Sequence, residues 1–496
     1  MTSRNDVSQT PSGTTPENAE PENAEDRAAT WRDRVPQAVI AVVLLLVAAI
    51  AWYVLTTGKA MGIETGTVLM VASLLLMVLT GLPLAVVTTL IALLFTVGWF
   101  GPMGVPLVAS RVYSFISEYV LVAVPMFVLM ASILDRSGIA RDLYNAMRVW
   151  AGGLRGGVAV QTLVAAIFLA AISGIIGGEI VLLGMIALPQ MLRLGYDRQI
   201  AIGTVCAGGS LGTMIPPSIV LIVYGLTANV SIGDLFLATI LPGLLLAALY
   251  IAYILVRCYL NPTAGPPAPK EERDMPLSQK LVQLRGVVIP VLVAVLVLGS
   301  IYGGVASVTE AACMGVVGVL VAAAIRRELS YKMLKDALAQ TLNTCGMIIW
   351  IGIGASTLVG VYNLMGGTRF MNAAITGMDV APITVVIMMM GILLVLGLFM
   401  DWIGIALLTM PIFVPIITDL GFDPIWFGIL FAINMQVSYI TPPFGPAAFY
   451  LKSVAPPDIS LADIFKSLWP FILLQLIALA TVLSFPQIAL WLPGAG

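Results

Sequence analysis

The chain has 496 residues, of which 59% are hydrophobic and 10% charged, with a mean hydropathy of +1.02 and a formal net charge of −2. Soluble domains carry roughly 45–50% apolar and about 25% charged residues, so this composition excludes them and reads as one polytopic membrane domain. The absence of histidine excludes His-based zinc sites, haem ligation through His and Ser-His-Asp chemistry, and the absence of a basic run excludes nucleic acid as a partner.

Residues 1–34 are rich in Pro, Glu, Asn and Thr and carry the direct repeat PENAE-PENAE from Pro16 to Glu25, so they cannot form a core. A disordered cytoplasmic tail is expected there. The apolar segment 35–58 follows a long acidic leader and exceeds a signal peptide's apolar stretch, which makes it an extra N-terminal transmembrane helix. Crossings are expected near 36–57, 67–80, 82–100, 118–134, 199–226, 235–256, 287–304, 310–325, 341–363, 424–450 and 469–490. With the N-terminus in the cytoplasm, all but Lys59, Arg111 and Arg369 of the 24 Lys and Arg residues fall on the cytoplasmic side, as the positive-inside rule requires. The four cysteines, Cys206, Cys258, Cys313 and Cys345, are isolated in sequence and read as inert thiols.

Two stretches do not fit as ordinary crossings. Residues 158–192 run apolar, meet SGIIGG at Ser173–Gly178, and run apolar again, with Arg155 before and Arg193 after. At about 1.5 Å per residue each limb is short for a span, and both ends are basic, so a re-entrant hairpin facing the cytoplasm is expected. Residues 381–419 form a second pair of limbs that meet near Met400-Asp401-Trp402. The segments beside them carry almost no Lys or Arg, and this hairpin should face the periplasm.

The chain also repeats itself. LGYD at Leu194–Asp197 is followed nineteen residues later by Pro216-Pro217, and LGFD at Leu420–Asp423 by Pro442-Pro443 at the same distance. One offset of 226 superposes these motifs, carries Pro189 onto Pro415 and Tyr224 onto Tyr450, and places Arg141 close to Arg369. A first repeat over 66–257 with a broken helix at 199–226, a cytoplasmic linker over 258–286, and a second repeat over 287–493 with a broken helix at 424–450 are expected. Hairpins that open to opposite sides make the repeats inverted, the geometry of alternating-access transporters.

Proline lacks an amide hydrogen and its ring clashes with the preceding turn, so two in succession should split a helix and free carbonyls. Unpaired backbone groups in hydrocarbon cost several kcal/mol each, so such breaks persist where they line a cavity or bind something. Freed carbonyls with the hydroxyls of Ser210, Thr213, Ser438 and Thr441 offer an all-oxygen environment for a hard cation such as Na⁺. Each resumed half-helix presents amides to an anion. A proline kink serving packing alone is the competing reading, and two kinks in register favour a site. Glu179 and Asp401, beside the two hairpin tips, could each cap a half-helix N-terminus, help hold a cation, or do both. Glu310 closes Ser307-Val308-Thr309-Glu310 ahead of an apolar run, a capping-box pattern. No GxxxxGK[ST] occurs, and ATP is not implied.

The runs GYDRQIAIGTVCAGGSLGTMIPPSIVLIVYG, ASVTEAA and FMDWIGIALLTMPIFVPIITDLGFDP, with INMQVSYITPPFGPAAFYL, resemble the large membrane subunit of TRAP (tripartite ATP-independent periplasmic) transporters over about 66–493. The resemblance implies an all-α, inverted-repeat, elevator-type permease of the bacterial inner membrane with two re-entrant hairpins and two broken helices. It also implies Na⁺-coupled import of an organic acid, delivered by a periplasmic binding protein, beside a small four-helix membrane subunit. Carried over, the ion- and substrate-binding positions are Ser173 and Gly174 at the first hairpin tip, with Glu179 beside them a candidate on its own charge, and Gly209, Ser210, Gly212, Thr213, Pro216 and Pro217 at the first broken helix. Asp401 follows at the second tip, with Asn434, Gln436, Ser438, Thr441, Pro442 and Pro443 at the second broken helix; Na⁺ would sit around Ser173, Thr213, Asp401 and Thr441. Ile175 stands where many relatives carry a second serine, and Glu179 where Asp or Thr is more usual. A single extra helix is too little for a fused small subunit, so that partner is expected as a separate chain. A stand-alone symporter is the alternative within transport. An intramembrane enzyme would need a nucleophile and base that no motif supplies, and a continuous pore fits oppositely opening hairpins less well.

Overall fold

The computed structural model describes residues 37–150, 153–174, 176–268, 274–377 and 380–495. The expected tail over 1–34, Ile175 and the middle of the linker at 269–273 lie outside the described residues. Those that are described build an all-α fold, and eight of its helical stretches are long and apolar enough to cross a membrane.

Helix α1 (Gln37–Thr57) turns through a 3₁₀ turn at Gly58–Met61 into α2 (Gly62–Leu79), and α3 (Leu84–Phe100) packs against both. Val43, Val47, Ile50 and Val54 recur at helical spacing on the inward stripe of α1, while Leu45 and Trp52 are exposed. Lipid is the natural solvent for that outer face. An amphipathic helix, α4 (Val105–Ile116), precedes α5 (Ala123–Arg136). Next comes α6 (Ile139–Arg148), a ten-residue helix that buries Ile139, Leu143 and Tyr144 and leaves its arginines on the other face.

The first hairpin is α7 (Gly157–Ser173) and α8 (Ile176–Arg193), packed together and reversing at Gly174. Asp197 then caps α9 (Arg198–Ser210) by accepting from the Gln199 and Ile200 amides at 2.9 and 3.2 Å. A 3₁₀ turn at Leu211–Thr213 and a non-helical stretch through the diproline separate α9 from α10 (Ile219–Ala228). Helix α11 (Ile232–Leu260) returns across the fold.

Beyond the linker helix α12 (Leu277–Gln283) lie α13 (Arg285–Tyr302) and α14 (Val308–Ile325). The capping box at the head of α14 forms: the Ser307 amide donates to Glu310 Oε2 at 2.7 Å and the Glu310 amide to Ser307 Oγ at 3.3 Å. The crossing expected at 341–363 is part of a longer helix, α15 (Tyr331–Leu364), 34 residues long. Its first turns, YKMLKDALAQ, mix charge with apolar positions at helical spacing, so a search for purely apolar runs starts ten residues late.

After the ten-residue α16 (Gly367–Thr376) comes the second hairpin, α17 (Pro382–Gly397) and α18 (Trp402–Asp419). The second broken helix is α19 (Pro424–Ile440) and α20 (Pro446–Lys452), with Asp423 capping α19 as Asp197 caps α9. Helix α21 (Leu461–Ser484) and the short α22 (Gln487–Leu490) complete the chain. The offset of 226 lays α8 onto α18 end to end and the start of α9 onto the start of α19. Both diproline bonds, Pro216-Pro217 and Pro442-Pro443, are cis.

Two layers emerge from the packing. Helices α3, α4 and α5 pack on the long α15, and α14 packs on α5 and on α13, which together make a frame. Inside it, each broken helix lies against its own hairpin, and α11 and α21 flank the pair. Contacts there are close because small residues face large ones, as where a Cβ on Gly203 of α9 would run into the Phe471 ring of α21.

Candidate functional site

A cavity of about 570 Å³ opens where every unusual element converges. Its wall takes Gly174 from the first tip, Asp401 and Trp402 from the second, Ile219 and Val220 from the head of α10, and Tyr439, Pro446 and Tyr450 from the second broken helix. The frame supplies Asp135 and Arg136 from the end of α5, and Gln340, Thr344, Met347 and Ile348 from α15. Gly177, Val181 and Met185 continue the wall along α8 towards the Arg193 end of the bundle.

The chemistry of this wall is mixed. Arg136 is the one cation among the described residues lining it; its Nη2 donates to Gln340 Oε1 at 2.9 Å, which fixes the guanidinium at the cavity edge. Two carboxylates face the same space. Asp135 lies beside the first turn of α8, where a Cβ on Gly178 would come within 2.7 Å of its Oδ2. Asp401 is exposed to the cavity and caps α18, its Oδ2 accepting from the Ile403 amide at 3.2 Å. A far smaller space of about 20 Å³, room for one water-sized particle, lies between Asp401, Ser438 and Tyr439. The rings of Tyr439 and Tyr450 stack 6.5 Å apart, and the Tyr450 ring covers Gly177.

Three carbonyls at the first break are not bare, contrary to the expectation from the prolines. Thr213 Oγ1 donates to the Ser210 carbonyl at 3.1 Å, Ser218 Oγ to the Thr213 carbonyl at 2.7 Å, and Thr239 Oγ1 to the Met214 carbonyl at 2.7 Å. Three hydroxyls, two of them local and one from α11, serve these three carbonyls. In hydrocarbon that substitution removes a cost of several kcal/mol per group. Ser210 Oγ itself donates to the Ala207 carbonyl at 2.8 Å.

Tip and break are locked together in both halves. Gly174 has φ +58°, and a Cβ there would lie 2.5 Å from the Pro217 carbonyl oxygen. Gly397, at the end of α17, leaves no room for a Cβ beside the Ser438 hydroxyl. Between the halves, Gln436 Nε2 donates to Ser210 Oγ at 3.3 Å. These two residues are equivalents under the offset of 226, so the local two-fold axis passes between them. Asn434, also fully buried, donates to the Met390 carbonyl of α17 at 2.8 Å, and the Ser438 hydroxyl to the Asn434 carbonyl at 3.1 Å.

Of the residues expected from sequence, Gly174 and Asp401 line the large cavity, and Asp401 with Ser438 the small one. Gly209, Ser210, Gly212, Thr213, Pro216, Pro217, Asn434 and Gln436 are buried in the supporting layer behind. Glu179 is there too, 1% exposed, with its carboxylate directed at Gly212. The side chain of Ser173 lies outside what is described. Thr441, Pro442 and Pro443 fall away from the cavity. Thr441 Oγ1 donates to the Val437 carbonyl at 2.6 Å, and the turn through exposed Pro443 and Phe444 reaches the surface. The first break is buried and the second is not, although their sequences align.

Asp135, Arg136, Gln340 and Tyr439 were not among the residues expected at the site. The signal for the first two was an acid-base pair closing an apolar run, which counts as a topology marker until α15 is placed beside it.

A family model described as "Tripartite ATP-independent periplasmic transporter, DctM component" matches residues 71–488. The C4-dicarboxylate TRAP transporter large permease protein DctM of Pseudomonas aeruginosa is 31% identical over 399 residues, spanning 80% of this chain and 92% of that protein. The isethionate TRAP transporter permease protein DctMQ of Oleidesulfovibrio alaskensis is 30% identical over 420 residues, 84% of this chain but 65% of that longer protein. In fold, the crystal structure of the Alcanivorax borkumensis YdaH transporter matches with a TM-score of 0.56 at 14% identity, over 78% of this chain and 88% of that one. A match that takes in both hairpins, both broken helices and the frame places the chain in the DctM family, the permease component of tripartite ATP-independent periplasmic transporters.

Proposed function

We propose that this chain imports an organic acid across the bacterial inner membrane as the large permease subunit of a tripartite system, driven by Na⁺. A periplasmic binding protein would deliver the substrate, and a small four-helix membrane subunit, as a separate chain, would complete the membrane part. The observation that carries the reading is the convergence of both hairpin tips, both broken helices and two frame helices on one cavity with a single guanidinium among the described residues lining it.

The wall suggests how an anion and a cation could travel together. Arg136, steadied by Gln340, is positioned to receive a carboxylate. Asp135 and Asp401 already outweigh it, so an anionic substrate entering alone would raise the local negative charge. A Na⁺ ion in the small space between Asp401 and Ser438 would offset one carboxylate and favour entry. That is coupling by charge. Release would follow the same rule in reverse. Motion would carry the hairpins and broken helices as one block against the α15 frame, an elevator in which the locked tips of Gly174 and Gly397 keep the block intact. The distribution of Lys and Arg along the sequence supports a cytoplasmic N-terminus.

Reconstitution with the small subunit and candidate receptors, followed by uptake with and without a Na⁺ gradient, tests the reading. Uptake should need both Na⁺ and receptor. Transport that persists after complete Na⁺ removal rejects the coupling ion, and transport without any receptor favours a stand-alone symporter.

A further inference from the structure

A second cavity, of about 230 Å³, lies on the same frame helix as the first but further along it. The first cavity takes α15 as far as Ile348, and the second begins at Ser356, about 12 Å on at about 1.5 Å per residue. Arg111 and Ser114 of α4, with Glu118 just past its end, join Ser356 and Gly360 of α15 in the wall, and the block closes it with Leu407 and Pro411 of α18.

The duplication relates the two cavities. The offset of 226 starts α4 where α15 starts and lays α5 along the second half of α15. It carries Ser114 and Glu118 of the second cavity onto Gln340 and Thr344 of the first, and Val181 and Met185 of the first onto Leu407 and Pro411 of the second. Walls built from exchanged positions are what one path presents at its two ends in an inverted repeat. The cavities differ in size, about 570 against about 230 Å³, as an open end and a nearly shut one do. The distribution of Lys and Arg along the sequence puts Arg111 on the periplasmic side and Arg136 on the cytoplasmic one.

The second wall is equipped for a carboxylate. A Cβ on Gly360 would come within 2.8 Å of Arg111 Nε and 3.0 Å of its Cγ, so the arginine lies flat on α15 where the missing side chain leaves room. Thr357 donates to the Ile353 carbonyl at 2.7 Å, as hydroxyls in helices do, whereas the buried Ser356 Oγ has no hydrogen-bond partner among the described residues and remains a donor in the wall. One basic and one acidic side chain line this cavity, where Asp135 and Asp401 outweigh Arg136 in the first. An anion arriving without a cation is therefore repelled less here.

We propose that this cavity is the outer end of the transport path, an anion vestibule in which Arg111, seated on Gly360, takes the carboxylate of the incoming substrate before the block presents it to Arg136. Its place on the path rests on the transport reading above; its preference for anions does not.

The test places a reporter thiol at Ser114, one helical turn from Arg111, in the full chain in proteoliposomes. The native chain, with its exposed Cys313 on α14, serves as the blank. The rates of modification by 2-sulfonatoethyl and by 2-(trimethylammonium)ethyl methanethiosulfonate, added outside, give an anion-to-cation ratio from which intrinsic reactivity cancels between variants. Adding Arg111→Gln to Ser114→Cys should lower that ratio about tenfold, about threefold from each reagent for a charge about 5–6 Å away. Arg111→Lys should hold it within about threefold, because the charge remains. A ratio that Arg111→Gln leaves unchanged overturns the proposal. In the second arm, Ser114→Cys carrying the sulfonate should lose at least about tenfold of its receptor-dependent uptake relative to the same protein unmodified. Full uptake with the thiol blocked would take the cavity off the path, and uptake recovered by raising the receptor concentration would make it a docking face for the receptor; either overturns the proposal. Both arms are ratios taken under one Na⁺ gradient, so they fail separately from the coupling reading.

Discussion

Replacing Gly174 by alanine separates two costs that the first hairpin tip imposes. The residue sits at φ +58°, where a Cβ costs about 1–2 kcal/mol. The new Cβ would start 2.5 Å from the Pro217 oxygen, and reaching ordinary contact at 3.4 Å means a retreat of 0.9 Å by the tip or the break. Overpacking of that kind costs about 1–3 kcal/mol, so the sum is about 2–5 kcal/mol. Gly195 and its repeat partner Gly421 have φ +81° and +82° with nothing within 4 Å of a Cβ, so Gly195→Ala and Gly421→Ala should show the backbone cost alone. Melting in detergent should therefore rank Gly174→Ala well below both. If as little as 1.4 kcal/mol of the extra cost falls on the arrangement that holds substrate, uptake by proteoliposomes drops about tenfold. A Gly174→Ala protein that melts and transports like Gly195→Ala would refute the idea that tip and diproline work as one unit.

At Asp401 the cap and the charge can be told apart. Asn caps a helix about as well as Asp, so Asp401→Asn should keep its melting temperature and lose most Na⁺-driven uptake, whereas Asp401→Ala should lose about 0.5–2 kcal/mol of stability as well. Unchanged uptake in the Asn variant reduces Asp401 to a structural cap. Ser218→Ala removes the hydroxyl from the Thr213 carbonyl and should destabilise by about 1–3 kcal/mol in chemical denaturation; a neutral result would mean water serves that carbonyl equally well. Across the two-fold axis, a double-mutant cycle with Ser210→Ala and Gln436→Ala should return a coupling of about 0.5–1.5 kcal/mol, and a coupling near zero counts against direct contact.

Much of this was open to a reader of the sequence because a few residue types have rigid consequences. Proline cannot continue a helix, aspartate before a helix caps it, and glycine permits a tip at positive φ, so the hairpins, the breaks and the offset of 226 all stood in the one-dimensional pattern. What stayed hidden depends on neighbours far along the chain. Arg136 meets Gln340 across 204 positions, and no spacing rule links them. The hydroxyl of Thr239 reaches the Met214 carbonyl from another helix, which is why that carbonyl, expected to be bare, is covered. The ten-residue α6 and α16 escaped because a search tuned to bilayer thickness skips helices too short and too charged to cross.

The contact between Ser210 and Gln436 bears on energetics as well as on architecture. In a scaffold built from two related halves, an exchange of roles between them turns one end state into the other, and strict identity would leave both equally populated. A position on the axis meets its own counterpart, so any difference there is felt directly in that balance. Here a short hydroxyl opposes a long amide, and trading the pair, Ser210→Gln with Gln436→Ser, should tilt the resting preference of the carrier while conserving its composition.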